Sequence, residues 1–224
     1  MSENAHLYAI YHQSVEALAQ AGVRFVVGGG TAVMAYGRQR STKDFDIFLN
    51  RNELSRAMRV LGDAGFFTSD TEKPWLYKAL RPPAQIDLII RSAGNFTLDA
   101  ETLQRVRDVR VEGQVFPLMS PEDLLARKIN STLEGRPDWY DALSVLREQA
   151  GSLDWQYLMR RAGRHPERLL SFLLFAVGDL PGARALIPSW VFGRLMAAAR
   201  ARLRVTQEPL PPALERRALV SRAA

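Results

Sequence analysis

The chain has 224 residues and no cysteine, with a formal net charge of +6 and an isoelectric point near 10.0. Disulfides and thiolate zinc sites are therefore excluded, and His6, His12 and His165 are too scattered to form a metal-binding spacing. The longest apolar run, Phe172 to Val177, is far too short to cross a bilayer, so the composition predicts a soluble, cytoplasmic protein with no membrane partner.

The segment from Met1 to Gly22 reads as an amphipathic helix with Leu7, Ile10, Tyr11, Val15 and Leu18 on one side, without the features of a signal peptide. Phe25, Val26 and Val27 follow as a short buried strand. Gly28, Gly29 and Gly30 then let backbone N–H groups approach an anion with no Cβ in the way. Thr31 is expected to open a helix that runs to Tyr36 and stops at Gly37, so its first amides and its dipole face whatever sits over the glycines. A phosphate suits that position.

Asp44 to Leu49 has the period of a strand, with Asp44, Asp46 and Phe48 on one face and Phe45, Ile47 and Leu49 on the other. Two carboxylates held side by side on a strand repel each other unless a cation or a shared proton offsets the charge. Mg²⁺ fits, because it binds through one or two carboxylates together with substrate phosphates. Asn50 to Gly65 is a helix, with Leu54, Met58 and Leu61 at helical spacing. Trp75 to Leu80 and Ala84 to Ile90 form a hairpin across Pro82 and Pro83. Within it Asp87 lies opposite Ile86, Leu88 and Ile90, where an acid is costly unless it serves a site. If this strand lies beside that of Asp44 and Asp46, all three carboxylates converge, the layout of two-metal nucleotidyl transfer.

Two further short strands, Val109 to Val111 and Val115 to Leu118, turn at Glu112 and Gly113. Ser120, Pro121, Glu122 and Asp123 then make a strong helix start, with serine as N-cap, proline at the first helical position and acids in the first turn. Leu124, Leu125, Lys128 and Ile129 share a face of that helix, so Lys128 either snorkels past the core or points into the cleft. Asp141 sits one helix later, after a break at Gly135 to Pro137, placed to pair with Lys128 or to hold the attacking hydroxyl. Arg40 faces either phosphates or a strand carbonyl.

The pattern is α/β and becomes all-helical near Ser120, which divides the chain into an α/β domain at 1–118, a helical domain at 119–205 and an extended, partly disordered tail at 206–224. Arg160, Arg161, Arg164, Arg168, Arg184, Arg194, Arg200, Arg202 and Arg204 crowd the helical part, as phosphate contacts or as a solvated face. Trp155, Tyr157 and Trp190 there either stack on bases or pack in a core.

The run GGTAVMAYGRQRSTKDFDIFL, with Asp87 beyond it, resembles the nucleotidyltransferase superfamily related to DNA polymerase beta, in the branch of the AbiEii-like and MenT-like toxins of toxin–antitoxin pairs. Tyr36, Gly37, Arg40 and Thr42 match that branch's Tyr-Gly-x-x-Arg-x-Thr, while MSPEDLLARKI and DWYDAL resemble its lysine- and aspartate-bearing helices. Gly30 departs from a serine carried by many members, and the hydroxyl of Thr31 could substitute for it. The resemblance covers roughly residues 5 to 150 and implies a mixed sheet flanked by helices, followed by an all-helical C-terminal part.

It also implies metal-dependent transfer of a nucleoside monophosphate from an NTP to a hydroxyl. Asp44, Asp46 and Asp87 would hold two Mg²⁺ ions, or Mn²⁺, and Lys128 and Asp141 would join them as catalytic residues. Gly29, Gly30, Thr31, Arg40 and Thr42 would bind the nucleotide. RNA, at the tRNA 3′ end, is the implied acceptor, and a cognate antitoxin protein the implied partner. An antibiotic nucleotidyltransferase of the aminoglycoside or lincosamide type and a non-catalytic nucleotide-binding module are the rival readings.

Overall fold

The computed structural model describes residues 3–42, 44–131, 138–163 and 165–205. The expected tail at 206–224, the break at Gly135 to Pro137 and the side chains of Arg164 and Arg204 lie outside the described residues.

In chain order the elements are α1 (Glu3–Gln20), β1 (Phe25–Val27), α2 (Gly29–Tyr36), β2 (Phe45–Leu49), α3 (Arg51–Asp63), β3 (Phe67–Asp70), β4 (Leu76–Arg81), β5 (Ala84–Ile89), α4 (Ala100–Gln104), β6 (Arg107–Val111) and β7 (Gln114–Leu118). The helices α5 (Pro121–Asn130), α6 (Trp139–Gln149), α7 (Trp155–Arg161), α8 (Pro166–Asp179), α9 (Ala183–Leu186) and α10 (Ser189–Val205) complete it. The strands form one seven-stranded mixed sheet in the order β3-β4-β5-β2-β1-β7-β6. β2 lies antiparallel to β1 and parallel to β5, and β1 lies parallel to β7.

One face of β2 and β5 is fully buried. Phe45, Ile47, Leu49, Ile86 and Leu88 pack there, and α1 covers them with Tyr11 stacked on Phe45 at 4.4 Å between ring centroids. Phe116 of β7 meets Phe45 at 5.2 Å, which ties the distant strand into the same layer. Alternation then sends Asp46 and Asp87 to the opposite face, because side chains of adjacent strand residues point to opposite sides. The hydrophobic core is one continuous cluster, running from Tyr8 on α1 through the sheet to Leu195 on α10.

Three elements depart from the expectations, one being α4, a short helix between β5 and β6 that Asp99 caps by accepting from the Thr102 amide. β3 carries Phe-Thr-Ser-Asp and pairs with β4 at the sheet edge, where Phe67 is exposed, so no buried face imposes a two-residue period that a reader could see. α2 begins at Gly29, two residues before Thr31, with Gly28 as its N-cap. Other signals hold as written: Gly37 ends α2, the Ser120 side chain accepts from the Asp123 amide, and Glu112 and Gly113 turn the β6–β7 hairpin with positive φ. No described helix is long and apolar enough to cross a membrane.

The C-terminal arginines divide between solvent and internal pairs. Arg161 is largely buried and bonds Asp99 and Asp123, Arg160 pairs with Glu101, and Arg202 pairs with Glu167. Tyr157 is fully buried with its hydroxyl donating to Asp123 at 2.9 Å, and Trp155 is also buried, so both are core residues, whereas Trp190 is 42% exposed. Asp123 is wholly enclosed and links α5 to α7. Replacing it with alanine leaves Arg161 with Asp99 as its remaining carboxylate and the buried Tyr157 hydroxyl without its acceptor, and we expect a loss of about 3 kcal/mol in folding stability, read from denaturant unfolding with an unchanged slope.

Candidate active site

The β2–β5 register sets Asp46 opposite Asp87, and Asp44, two residues earlier, falls on the same side. The chain reaches this point because β1 pairs with β2 and the ladder continues past β1, the Gly28 N–H donating to the Asp46 carbonyl at 3.0 Å. The glycine turn thereby lies against the aspartates. A Cβ on Gly29, whose φ is +55°, would come within 1.6 Å of Asp46 Oδ2, and one on Gly30 within 2.5 Å of Thr42 Oγ1. A side chain at position 30 would therefore have to displace that of Thr42. Thr42 in turn donates to the Asp44 carbonyl at 2.9 Å and holds the approach to β2.

Two adjoining cavities share this wall. One, of about 290 Å³, is lined by Gly29, Gly30, Arg40, Thr42, Asp44, Asp46 and Lys128 at one end and by Phe48, Trp75 and Leu124 at the other. The second, of about 510 Å³, is bordered by Asp44, Asp46, Asp87, Lys78, Lys73 and Glu72. All three aspartates therefore border the second cavity, and Asp44 and Asp46 border the first as well.

Their electrostatics are strained. Enclosure by protein, then the charges of Asp87 and Asp44, push the Asp46 carboxyl up from 3.8 to about 7, although Lys128 and the Gly30 N–H act in the opposite direction. Asp87 is only 7% exposed, and its Oδ1 accepts from Lys78 Nζ at 2.7 Å. Lys78 stands directly across the β4–β5 ladder from it. Among the described residues no three His, Asp or Glu side chains gather tightly enough to hold one metal ion. The strand of Asp87 does lie beside that of Asp46, and the three carboxylates border one cavity, with Asp87 bonded to Lys78. The donor set still fits a hard cation: the ligand atoms are all carboxylate oxygens, and the raised Asp46 acid marks uncompensated negative charge beside a cradle a Cβ would fill.

The remaining site residues sort by what they touch. Lys128 borders the first cavity and donates to Asp138 at 2.9 Å and Asp141 at 3.0 Å. Arg40 borders it too and reaches Asp141 at 2.6 Å, while donating to the Ser41 carbonyl. Asp141 itself is 2% exposed and does not border the cavity. Burial would raise its pKa, yet Lys128, Arg38 and Arg40 hold it below the usual carboxylate range. Its pairing with Lys128 is one of the two expected contacts, and the same carboxylate also receives Arg38 and Arg40. The Thr31 side chain is fully buried, bordering neither cavity, so its hydroxyl does not stand in for the missing serine. Its place in the first turn of an eight-residue helix directs that side chain into the core.

Four contributors were not read from the sequence. Arg38 donates bidentately to Asp141, at 2.9 and 2.7 Å. Lys78 could have been found by counting outward from Pro82 and Pro83, which places it across from Asp87. Arg127 lies three residues after Leu124, on the stripe already recognised, and Asp138 lies within the DWYDAL run.

The folded-state pKa of Asp46 lies above its unfolded value, so the folded chain binds this proton more tightly. Its contribution to stability is present at low pH and is lost as pH rises from about 4 through about 7. In EDTA, the melting temperature should therefore fall over that window in the wild type and much less in Asp46→Asn. Millimolar Mg²⁺ should restore the wild type above pH 7 and leave the variant unchanged.

The comparisons with known proteins agree with this architecture. A solution structure of the antibiotic-resistance factor ANT(2″)-Ia is 17% identical with a TM-score of 0.53, covering 73% of this chain and 92% of that one. The crystal structure of ANT(2″)-Ia in complex with adenylyl-2″-tobramycin is 16% identical with a TM-score of 0.53, covering 72% and 97%. At such identities the likeness concerns the fold alone. No curated protein matches the sequence. Residues 8–174 do match a family described as a nucleotidyl transferase of unknown function (DUF2204), which spans the glycine turn, the aspartates and Lys128, so the chain belongs to that nucleotidyl transferase family.

Proposed function

We propose that the chain transfers a nucleoside monophosphate from an NTP to the 3′ hydroxyl of an RNA, with tRNA as the acceptor, and that it acts as the toxin of a toxin–antitoxin pair. The observation that carries the transfer reaction is the wall of Asp44 and Asp46 common to two cavities, one also bordered by Gly29, Gly30 and Lys128 and the other by Asp87. Two Mg²⁺ ions, or Mn²⁺, held by those carboxylates would neutralise phosphate charge and polarise the reacting oxygens.

The chain's own groups supply the rest. The N–H groups at the start of α2 receive the outer phosphates, as helix N-termini do for anions. Lys128, Arg38 and Arg40 outnumber Asp138 and Asp141, which leaves positive charge for the pyrophosphate as it departs. Asp87 accepts the proton of the acceptor hydroxyl while its oxygen attacks the α-phosphorus. The bond from that phosphorus to the β-phosphate oxygen breaks, and pyrophosphate leaves. Asp141 keeps Lys128 and Arg40 aimed through two short ion pairs.

Support for an anionic acceptor comes from charge. The chain carries +6 overall, which draws polyanions toward it. The resemblance of residues 25–49 to AbiEii-like and MenT-like toxins supports tRNA and a protein antitoxin. A small hydroxylated antibiotic is the second reading, favoured by the fold shared with ANT(2″)-Ia, whose crystal structure contains adenylyl-2″-tobramycin.

The test incubates the protein and Mg²⁺ with each α-phosphate-labelled NTP and either total RNA or a mixture of tobramycin and lincomycin. Label should enter RNA, and Asp46→Asn should lower the rate by about 10³-fold, with Lys128→Ala lowering it by about 10²-fold. Equal transfer by Asp46→Asn overturns the assignment, labelled antibiotic replaces the acceptor, and NTP binding without pyrophosphate release reduces the chain to a binding module.

A further inference from the structure

The first cavity is chemically two-sided. Its phosphate end is polar, whereas the far end is walled by Phe48, Trp75, Ile89, Met119 and Leu124, with Arg127 and Ser92 among them. A triphosphate seated at the glycine turn leaves its nucleoside to the aromatic and aliphatic half.

Arg127 is the unusual member of that wall. It is 6% exposed and, among the described residues, has no carboxylate within ion-pair distance. The acid nearest in sequence, Asp123, already serves Arg161, Tyr157 and Ser120. The Arg127 guanidinium lies 4.5 Å from the Phe48 ring centroid and 5.3 Å from that of Phe96. Nη1 donates to Ser92 Oγ at 2.6 Å and Nη2 to the Thr97 carbonyl at 3.5 Å, while Nε is buried without a hydrogen-bond partner. Burial lowers its pKa to about 10, so it remains a cation at neutral pH. A buried cation without an anionic partner is costly unless a ligand completes its bonding.

We propose that Arg127 selects the nucleobase of the incoming NTP, accepting bases that present a carbonyl oxygen and discriminating against adenine. The proposal rests on the reading above that this cavity takes an NTP. A guanidinium has donors only. Guanine offers it adjacent O6 and N7 acceptors, and cytosine and uracil offer O2, whereas the exocyclic amine of adenine sets donor against donor. The rings of Phe48 and Phe96 pack against the guanidinium, and Ser92 holds one of its nitrogens.

The experiment measures kcat/KM for ATP, GTP, CTP, UTP and ITP with labelled NTP and total RNA, and NTP affinity by calorimetry with Mg²⁺. In the wild type, at least one of GTP, CTP and UTP should exceed ATP by about ten- to a hundredfold, and ITP, which differs from ATP by carrying O6, should exceed ATP by at least about tenfold. In Arg127→Met the preference among the five nucleotides should collapse to within about threefold. A wild-type preference for ATP over ITP overturns the proposal, and so does a uniform loss across all five nucleotides in Arg127→Met, which would mark a phosphate contact or a structural role. If Arg127→Met does not fold, the ITP-to-ATP ratio of the wild type decides. Wild-type protein that binds none of the five nucleotides defeats the nucleotide site itself, an outcome distinct from binding without base preference.

Discussion

Mutual repulsion among Asp44, Asp46 and Asp87 is the constraint around which this molecule is arranged. The β2–β5 register leaves no freedom in it, because Asp46 and Asp87 are paired residues on neighbouring strands whose other face is filled by Phe45, Ile47, Ile86 and Leu88. Slipping either strand by one residue would relieve the charge but expose the core. The cost is instead met locally: Lys78 bonds Asp87, the Gly30 N–H faces Asp46, and Lys128 lies close enough to lower its pKa. What remains unbalanced is negative and oxygen-only, the chemistry that favours a divalent cation with phosphates.

A second charged centre, of opposite balance, joins the two halves of the chain. Asp141 on α6 is buried and receives Arg38 and Arg40 from the segment before β2 and Lys128 from α5. Buried ion pairs contribute little net stability, since desolvation offsets most of their attraction. Their geometric consequence is larger here: the loop between α2 and β2 is anchored to the helices, and cations are held at the rim of the same cavity whose floor is acidic. The Ser144 hydroxyl strengthens the anchor by accepting from the Arg38 amide and donating to the Asp141 carbonyl.

The same logic tempers any reading of the basic composition as a uniform binding surface. Arg161 and Asp123 form a buried structural pair, Arg105 packs its guanidinium 3.8 Å over the Tyr157 ring while pairing with Asp154, and Arg127 is enclosed between phenylalanines. Net charge still steers polyanions toward the molecule, but the individual arginines differ in what they do, and only the packed structure separates them.

Periodicity and local chemistry in the sequence determined the strands of Phe25 to Val27 and Phe45 to Leu49, the glycine turn, the Ser120 cap, the Glu112-Gly113 turn and the face on which each aspartate lies. Those properties depend on residues a few positions apart, where two-residue and 3.6-residue repeats and capping preferences act. Tertiary structure alone decided that β3 exists at a polar edge and that Thr31 turns into the core. It also decided that Asp141 gathers cations from two distant segments of the chain. These outcomes depend on strand register and on which buried groups find partners, and both are settled only when distant parts of the chain pack against one another.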